Sequence, residues 1–118
     1  MSLDHERLDV YRAALEFLTL ATRVVGALPR GRSDLADQLD RASTSIVLNI
    51  AEGAGKFSRP EKRRYYQIAA GSVTECAAIL DVCSCLTAID AGTHAEGKAL
   101  AERMLAMLVK LSNRMQRG

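Results

Sequence analysis

The sequence is poor in the residues that strands, disulfide frameworks and membrane spans require. It has no tryptophan, two prolines and an aromatic content of 4%, so a sheet built on aromatic cross-strand pairs is not expected. Charge-free stretches such as residues 42–51 contain Ser, Thr and Asn and are far shorter than the roughly 20 apolar residues of a membrane helix. The start of the chain mixes both charges and lacks a signal-like apolar region. We therefore expect a cytoplasmic protein that does not cross a membrane.

Cysteines and cofactor motifs are also too few to define a site. Cys76, Cys83 and Cys85 form an odd set within one apolar segment, which argues against a disulfide framework. No histidine is close enough in sequence to complete a metal site. We interpret all three as buried, inert thiols and predict no metal, no cofactor and no enzymatic activity.

Glycine occurs as Gly53-Ala54-Gly55, which superficially resembles a phosphate-binding loop. A true loop of that kind follows a strand and continues into Gly-Lys-Ser/Thr, and neither condition is met here. We interpret the two glycines as the end of a helix, in the left-handed conformation that glycine adopts there.

Composition and periodicity together indicate an all-α fold. Ala, Leu, Arg and Glu dominate, and these are strong helix formers. Apolar residues recur at intervals of three and four, which predicts helices at about residues 5–28, 33–54, 58–89 and 93–116. The predicted core stripes are Leu8, Tyr11, Leu15, Leu18, Thr22 and Val25 in the first helix; Leu35, Leu39, Ala42, Ile46, Asn49 and Gly53 in the second; Tyr65, Ala69, Ser72, Cys76, Ile79, Cys83 and Leu86 in the third; and Leu100, Met104, Met107, Leu111 and Met115 in the fourth.

Helix boundaries are marked by capping residues. Ser33 and Thr93 are the candidate N-caps of the second and fourth helices. The third helix opens with Ser58, Pro60 and Glu61, the pattern of a capping box with proline in the first turn. Short connections force consecutive helices to run antiparallel. We predict one domain over residues 1–118, an up-down-up-down antiparallel four-helix bundle.

Several segments share a pattern with a known family. They are Leu-Asp-Val-Tyr at 8–11, Gln-Leu-Asp-Arg-Ala-Ser-Thr-Ser-Ile-Val-Leu-Asn-Ile-Ala-Glu-Gly at 38–53, Tyr-Tyr-Gln-Ile-Ala at 65–69 and Gly-Ser-Val-Thr-Glu at 71–75. In these segments the chain resembles the four-helix-bundle proteins called 23S rRNA intervening sequence proteins. The resemblance covers about residues 8–76.

The resemblance implies a left-handed bundle and a tendency to form ring-shaped homopentamers. Many relatives are encoded within insertions of the large ribosomal RNA gene. The resemblance also implies kinship with the accessory protein of diversity-generating retroelements, a basic pentamer that binds nucleic acid and a reverse transcriptase. RNA or an RNA-bound protein is therefore the expected partner.

Asn49 is a polar residue on a predicted core stripe. A buried amide must be hydrogen-bonded, and one such residue often fixes register or partner number. Folding the second and third helices back on each other places Asn49 level with Tyr65, whose hydroxyl we expect as its partner. A structural role is favoured over a binding role. Glu52 is expected to pair with Lys62 or Arg63.

Basic residues gather at one end of the predicted bundle, where the N-terminus, the connection between the second and third helices and the C-terminus meet. We call this the basic end; its charged residues number about ten basic against five acidic. The rest of the chain carries six basic and nine acidic residues. The candidate nucleic-acid contacts are Lys56, Arg59, Lys62, Arg63, Arg114 and Arg117. Ordinary solvation of these side chains is the alternative.

Two functional hypotheses follow. The first is a homo-oligomer that binds RNA or an RNA-bound partner through the basic end, with little sequence preference because aromatic residues are few. The second is a scaffold that binds only protein through an apolar helix face. Helix four favours assembly in either case, because Leu105 and Leu108 add to an already apolar stripe.

Overall fold

Residues 3–116 are described by the computed structural model, and they form four long α-helices without a β-strand. The helices are α1 (Asp9–Ala27), α2 (Ser33–Gly55), α3 (Arg59–Cys85) and α4 (Ala91–Gln116). Short 3-10 turns, at Asp4–Arg7 and Arg30–Arg32, precede α1 and α2. The predicted all-α, four-helix architecture is confirmed, although the helix ends differ from the predicted ones by up to four residues.

The four helices pack around a square. Each helix contacts the next one in sequence, and α4 closes the bundle against α1. Within the described residues, the diagonal pairs α1 with α3 and α2 with α4 are not in backbone contact. The molecule measures 47 × 25 × 21 Å, which is one helix long and two helices wide. The α1–α2 and α3–α4 connections therefore share one end, the far end, opposite the basic end.

Capping agrees with the prediction at α3 and differs at the other helices. The Ser58 hydroxyl accepts a hydrogen bond from the Glu61 backbone N–H at 3.2 Å, as the capping pattern predicted. Ser33 is not a cap, because it is the first helical residue of α2 and the preceding residue makes no side-chain cap. Thr93 is not the cap of α4 either. It donates its backbone N–H to Asp90 Oδ1 at 2.7 Å, so Asp90 is the capping side chain.

The glycines at the end of α2 do not adopt the predicted left-handed conformation, since no described glycine has a positive φ. That conformation occurs instead at Thr87, whose φ is 53° just beyond α3. The Thr87 N–H bonds to Ser84 O at 3.0 Å, and the Ala88 N–H bonds to Cys83 O at 2.8 Å. This pair of bonds is the Schellman motif, and it ends α3 earlier than the predicted residue 89.

The core stripe predicted for α1 was only partly correct, because Leu8, Tyr11, Leu18 and Val25 are partly buried against the core and none of the six is fully buried. Leu15 is 41% exposed and Thr22 is exposed, whereas Phe17 is completely buried. The buried residues of α1 are Val10, Ala13, Ala14, Phe17, Leu20, Ala21 and Val24. Both stripes have helical spacing, so periodicity alone does not separate them. Packing selects the stripe with three alanines, whose small side chains let α1 approach its neighbours while Phe17 fills the interior.

The stripes of α2, α3 and α4 were predicted more accurately. Their buried members include Leu39, Ala42, Ile46, Ala69, Cys76, Ile79, Cys83, Leu100 and Met104. Three positions differ: Tyr66 rather than Tyr65 is buried, Leu86 is 40% exposed, and Leu108 is fully buried. The burial of Leu108 removes half of the excess apolar surface that the sequence assigned to α4.

Two glycines permit close helix packing. A Cβ at Gly53 of α2 would lie 2.8 Å from the Tyr66 ring and 3.1 Å from Tyr65 Cβ. A Cβ at Gly97 of α4 would lie 2.5 Å from Leu80 Cδ1. Both distances are shorter than ordinary van der Waals contact, so α2 and α3, and α3 and α4, approach at points where no larger residue fits.

The cysteines are free, and two of the three are buried as predicted. Burial raises the pKa of Cys76 to about 12, with Glu75 adding to the effect, and burial also raises the pKa of Cys83. Both are therefore protonated thiols at neutral pH. The prediction was wrong for Cys85, which is exposed just before α3 ends.

Among the described helices, α3 has the length and apolar composition that a membrane span would require. The core helix of a helical bundle can pass the same test, and 33% of the most apolar window of α3 is buried within the protein. Exposed residues at helical spacing form an outward face, the α3 face, which carries Ile68, Gly71, Glu75, Ala78 and Val82 of α3 and Leu86 just beyond its end.

Candidate nucleic-acid interface

The structure brings the start of α1 and the end of α4 together at the basic end. Arg7 and Leu8 line one groove with Lys110, Leu111 and Arg114. Its lining combines apolar side chains, cations from both ends of the chain and the carboxylate of Asp9. Lys110 and Arg114 are exposed, and neither forms an ion pair with another described residue. Arg117 lies outside the described residues.

The α2–α3 connection supplies a second group of cations. Lys56 Nζ lies 3.5 Å from Glu52 and 5.1 Å from the centre of the Tyr65 ring. The Arg64 guanidinium lies 5.6 Å from the same centre, so Tyr65 contacts two cations. The Lys56–Glu52 pair is partly exposed, and such pairs contribute little stability. Both basic side chains therefore remain near the surface of the connection.

Lys62, one of the candidate nucleic-acid contacts, forms hydrogen bonds within the fold. Its Nζ donates to Ala54 O at 2.7 Å and to Gly53 O at 3.4 Å. These carbonyls belong to the last turn of α2, where no further helical N–H is available to them. Lys62 thus caps α2 from the first turn of α3, and Glu52 pairs with Lys56 instead of Lys62 or Arg63.

Arg63 is also partly enclosed. It lines a groove between α3 and α4 with Gln67, Val109 and Asn113. Its Nε is buried without a hydrogen-bond partner, while both terminal nitrogens lie 3.3 Å from the Gln67 amide oxygen when that amide is oriented to accept from them. Lys56, Arg59 and Arg114 stay candidate contacts. Arg64 and Lys110, which were counted at the basic end but not among the candidate contacts, are exposed.

The hydrogen-bond partner predicted for Asn49 was wrong. Its Nδ2 donates to Ser45 O at 2.9 Å and to Ser45 Oγ at 3.0 Å. The Ser45 hydroxyl in turn lies 3.0 Å from the Ser72 hydroxyl of α3. Tyr65 packs one turn further along, against Gly53. The result is a polar link between α2 and α3, as a structural role for Asn49 requires.

A second polar cluster, at the far end, was not anticipated. Asp81 of α3 interacts with His94 Nε2 at 2.8 Å and accepts from Lys98 Nζ at 2.7 Å. Hydrogen bonds from Lys98 and then His94 hold the pKa of Asp81 below its usual value. The spacing of His94 and Lys98 places both on one face of α4, but nothing in sequence shows that Asp81 lies opposite them. The cluster connects α3 to α4.

Phe57 was also overlooked. It stands in the α2–α3 connection and its side chain is completely exposed, at 103% of the reference accessibility. The available signal was its position, an apolar residue between Lys56 and Ser58 where a polar turn residue is usual.

Metal ligation has no evident basis in this arrangement. Among the described residues, no group of three or more His, Cys, Asp and Glu side chains is placed to hold an ion. What the basic end offers chemically is exposed positive charge and one exposed aromatic ring, which are suited to binding an anionic polymer.

Comparison with known proteins agrees with the resemblance seen in the sequence. No curated protein is significantly similar to the chain. The family model described as 23S rRNA-intervening sequence protein matches residues 6–110, which extends through α4 and beyond the segments that suggested it. The chain therefore belongs to the 23S rRNA-intervening sequence protein family.

Proposed function

We propose that this protein is a non-enzymatic, cytoplasmic homo-oligomer that binds RNA through its basic end. The observation that carries the proposal is the segregation of charge, since basic residues from the start of α1, the α2–α3 connection and the end of α4 converge on one end. The proposed contact surface is Lys56, Arg59, Arg64, Lys110 and Arg114. Membership of a family named for its link to ribosomal RNA supports the choice of RNA.

Oligomerisation would multiply a modest charge. One subunit has a formal charge of only +2, but a ring that aligns several basic ends adds their phosphate contacts. A pentamer is proposed from the family resemblance, and kinship with the retroelement accessory protein stays a prediction. The α3 face supports assembly, because Ile68, Val82 and Leu86 are each 40% exposed or more. Exposed apolar side chains on one face of a helix favour an interface there, and the charged Glu75 interrupts this row.

Salt dependence tests RNA binding. Lys56, Arg59 and Arg114 should be replaced together by Gln. Lys62 and Arg63 are retained because Lys62 bonds to the last turn of α2 and Arg63 is partly enclosed between α3 and α4. RNA affinity should fall, and the slope of log affinity against log salt should flatten by about 2 for single-stranded RNA, because three fewer phosphates are neutralised.

A matched control uses the far end. Arg23, Arg30 and Arg32 are exposed there, and replacing them with Gln changes the net charge equally. This control should bind RNA with nearly the original affinity and salt slope. Equal losses in both triple variants would mean that net charge, rather than the basic end, governs binding.

Assembly requires its own test. Val82→Lys places a charge on the α3 face and should reduce the mass measured by light scattering, whereas Leu105→Lys on α4 should not. A wild-type monomer at micromolar concentration would contradict the assembly proposal.

A protein-only scaffold is the second candidate, and the α3 face is the observation that favours it. Under that function, Val82→Lys would abolish partner binding while the basic-end triple variant would have no effect. An intact oligomer that binds RNA equally well after the triple substitution would favour this scaffold over the RNA-binding proposal.

A further inference from the structure

Phe57 differs from every other aromatic residue in the described chain. Phe17 and Tyr66 are buried in the core, and Tyr11 and Tyr65 are partly buried against it. Phe57 is fully exposed, in the three-residue connection between α2 and α3. An exposed phenyl ring forgoes the stabilisation that burial would give. Its position therefore adds nothing to the packing of the bundle, which leaves the ring available to a partner.

The surroundings of the ring are basic. Lys56 precedes Phe57 directly, and Arg59 begins α3 two residues later. Arg64 lies on the next turn, beside Tyr65. Two acids are close in sequence: Glu52 pairs with Lys56 at 3.5 Å, and Glu61 Oε1 accepts from the Ser58 hydroxyl at 3.4 Å. Residues 52–64 hold five basic and two acidic side chains, so a partner that contacts Phe57 meets net positive charge.

We propose that Phe57 is a stacking platform for an unpaired RNA base. The ring would stack on the base while Lys56 and Arg59 contact the flanking phosphates, a combination common in single-strand recognition. Stacking requires a base that is not already between two neighbours in a duplex, so the basic end would prefer single-stranded RNA. This inference rests on the proposed RNA binding and adds a preference that charge alone does not give.

Other occupants fit the ring less well. Insertion into a membrane requires several apolar side chains at the tip. Leu48 and Ile68 are exposed but lie about 10 Å or more along their helices from the connection. Leu3 is the exposed apolar residue before the Asp4–Arg7 turn, which packs against α2. A protein pocket would accept Phe57 by its apolar volume rather than by its aromatic faces. The basic surroundings favour a polyanion over either.

The test compares wild type, Phe57→Ala and Phe57→Leu, using a short unstructured RNA as a single strand and as a blunt duplex. Phe57→Ala should weaken single-strand binding about tenfold and leave duplex binding and the salt slope unchanged, because no phosphate contact is lost. Phe57→Leu should behave like Phe57→Ala, because leucine keeps apolar volume without an aromatic face. Neither substitution should impair folding, since the side chain is exposed.

Fluorescence provides a direct readout of stacking. The chain has no tryptophan, so Phe57→Trp introduces a single tryptophan at the proposed platform, which can be excited selectively over the tyrosines. Single-stranded RNA should quench it and the duplex should not. Leu105→Trp is the matched control, at an exposed position on α4 away from the α2–α3 connection, and should not be quenched by either RNA.

Each of the following results would overturn the inference. Unchanged single-strand binding by Phe57→Ala would show that Phe57 does not contact the RNA, without contradicting RNA binding by the basic end. Full binding by Phe57→Leu would indicate an apolar contact instead of stacking. A lower oligomer mass for Phe57→Ala would assign the ring to a contact between copies, and vesicle binding that depends on Phe57 would assign it to membranes. If the wild-type protein binds neither the single-stranded RNA nor the duplex, the proposed function is overturned together with this inference.

Discussion

The two ends of the bundle use their charged side chains differently. At the far end, Asp81 bridges α3 to His94 and Lys98 of α4, and Asp90 caps α4. At the basic end, Lys62 of α3 caps the last turn of α2. Lys110 and Arg114 are exposed, and neither forms an ion pair with another described residue.

The α3–α4 connection at the far end and the α2–α3 connection at the basic end show the same contrast. The α3–α4 connection closes with a Schellman motif, and its Ala88 and Ile89 pack against the core. The α2–α3 connection leaves Phe57 in solvent. Side chains that are engaged within the fold stabilise it, and those left exposed are available for binding. Charge composition alone therefore does not distinguish a structural end from a binding end.

Substitutions in the middle of the bundle, between the two ends, should have the largest effect on the free energy of unfolding. Ile46→Ala should lower the free energy of unfolding by roughly 2 to 5 kcal/mol, because Ile46 is completely buried and truncation leaves a cavity. Leu48→Ala is the control on the same helix, since Leu48 is 58% exposed, and it should change stability little. Chemical denaturation measures both. Equal effects would mean that the register of α2 is wrong.

Gly53→Ala tests whether the basic end contains a tightly packed position. The added methyl would lie 2.8 Å from the Tyr66 ring, and such overpacking costs about 1 to 3 kcal/mol. Gly26→Ala in α1 meets nothing within 4 Å and should instead stabilise by about 0.5 kcal/mol, because alanine favours helix. Thermal unfolding should shift in opposite directions, and a stabilising Gly53→Ala would contradict the close packing of α2 on α3.

Lys62→Met separates the capping lysine from its basic neighbours. It keeps the apolar stem but removes the donor to Ala54 O, so the free energy of unfolding should fall by about 1 kcal/mol. Arg64→Met, on the exposed side of α3, should change stability by less than about 0.5 kcal/mol. Urea titration compares the two variants. Similar losses would show that Lys62 has no special role at this end.

Acid titration should destabilise the far end first. Hydrogen bonds from Lys98 and His94 lower the pKa of Asp81, and hydrogen bonds from Thr93 lower that of Asp90. Their folded-state pKa values lie below the usual 3.8, so their stabilisation is present above about pH 4 and is lost as pH falls through the lower folded values. In Asp81→Asn/Asp90→Asn, stability should decline less steeply over that range. Thermal unfolding from pH 5 to pH 2 provides the measurement.

Thr87→Gly is expected to give the smallest effect. Thr87 adopts a left-handed φ of 53°, which costs a residue with a Cβ about 1 to 2 kcal/mol. Glycine removes that strain but adds flexibility to the unfolded chain, so a net gain of about 0.5 kcal/mol is expected. The melting temperature should rise slightly. A lower melting temperature would mean that the Thr87 hydroxyl, which donates to Leu86 O at 2.7 Å, matters more than the strain.

Sequence reasoning anticipated where the basic residues gather, but not which of them form bonds within the fold. The convergence of basic residues on one end followed from the antiparallel order of the helices. Whether a given cation is engaged within the fold did not, because Lys62 reaches the carbonyls of a different helix and Arg63 is enclosed against α4. Phe57 was missed for a related reason, since exposure depends on what the neighbouring helices cover.

Features that depend on residues close together in the chain could be predicted from the sequence. Helix number, the Ser58 cap of α3 and the buried stripe of α2 follow from helical spacing and backbone hydrogen bonding, which act within a few residues. Tertiary structure alone decided which apolar stripe of α1 is buried, which partner Asn49 finds and where Asp81 is anchored. These outcomes depend on shape and distance between helices that are remote in sequence, so only the packed bundle could select them.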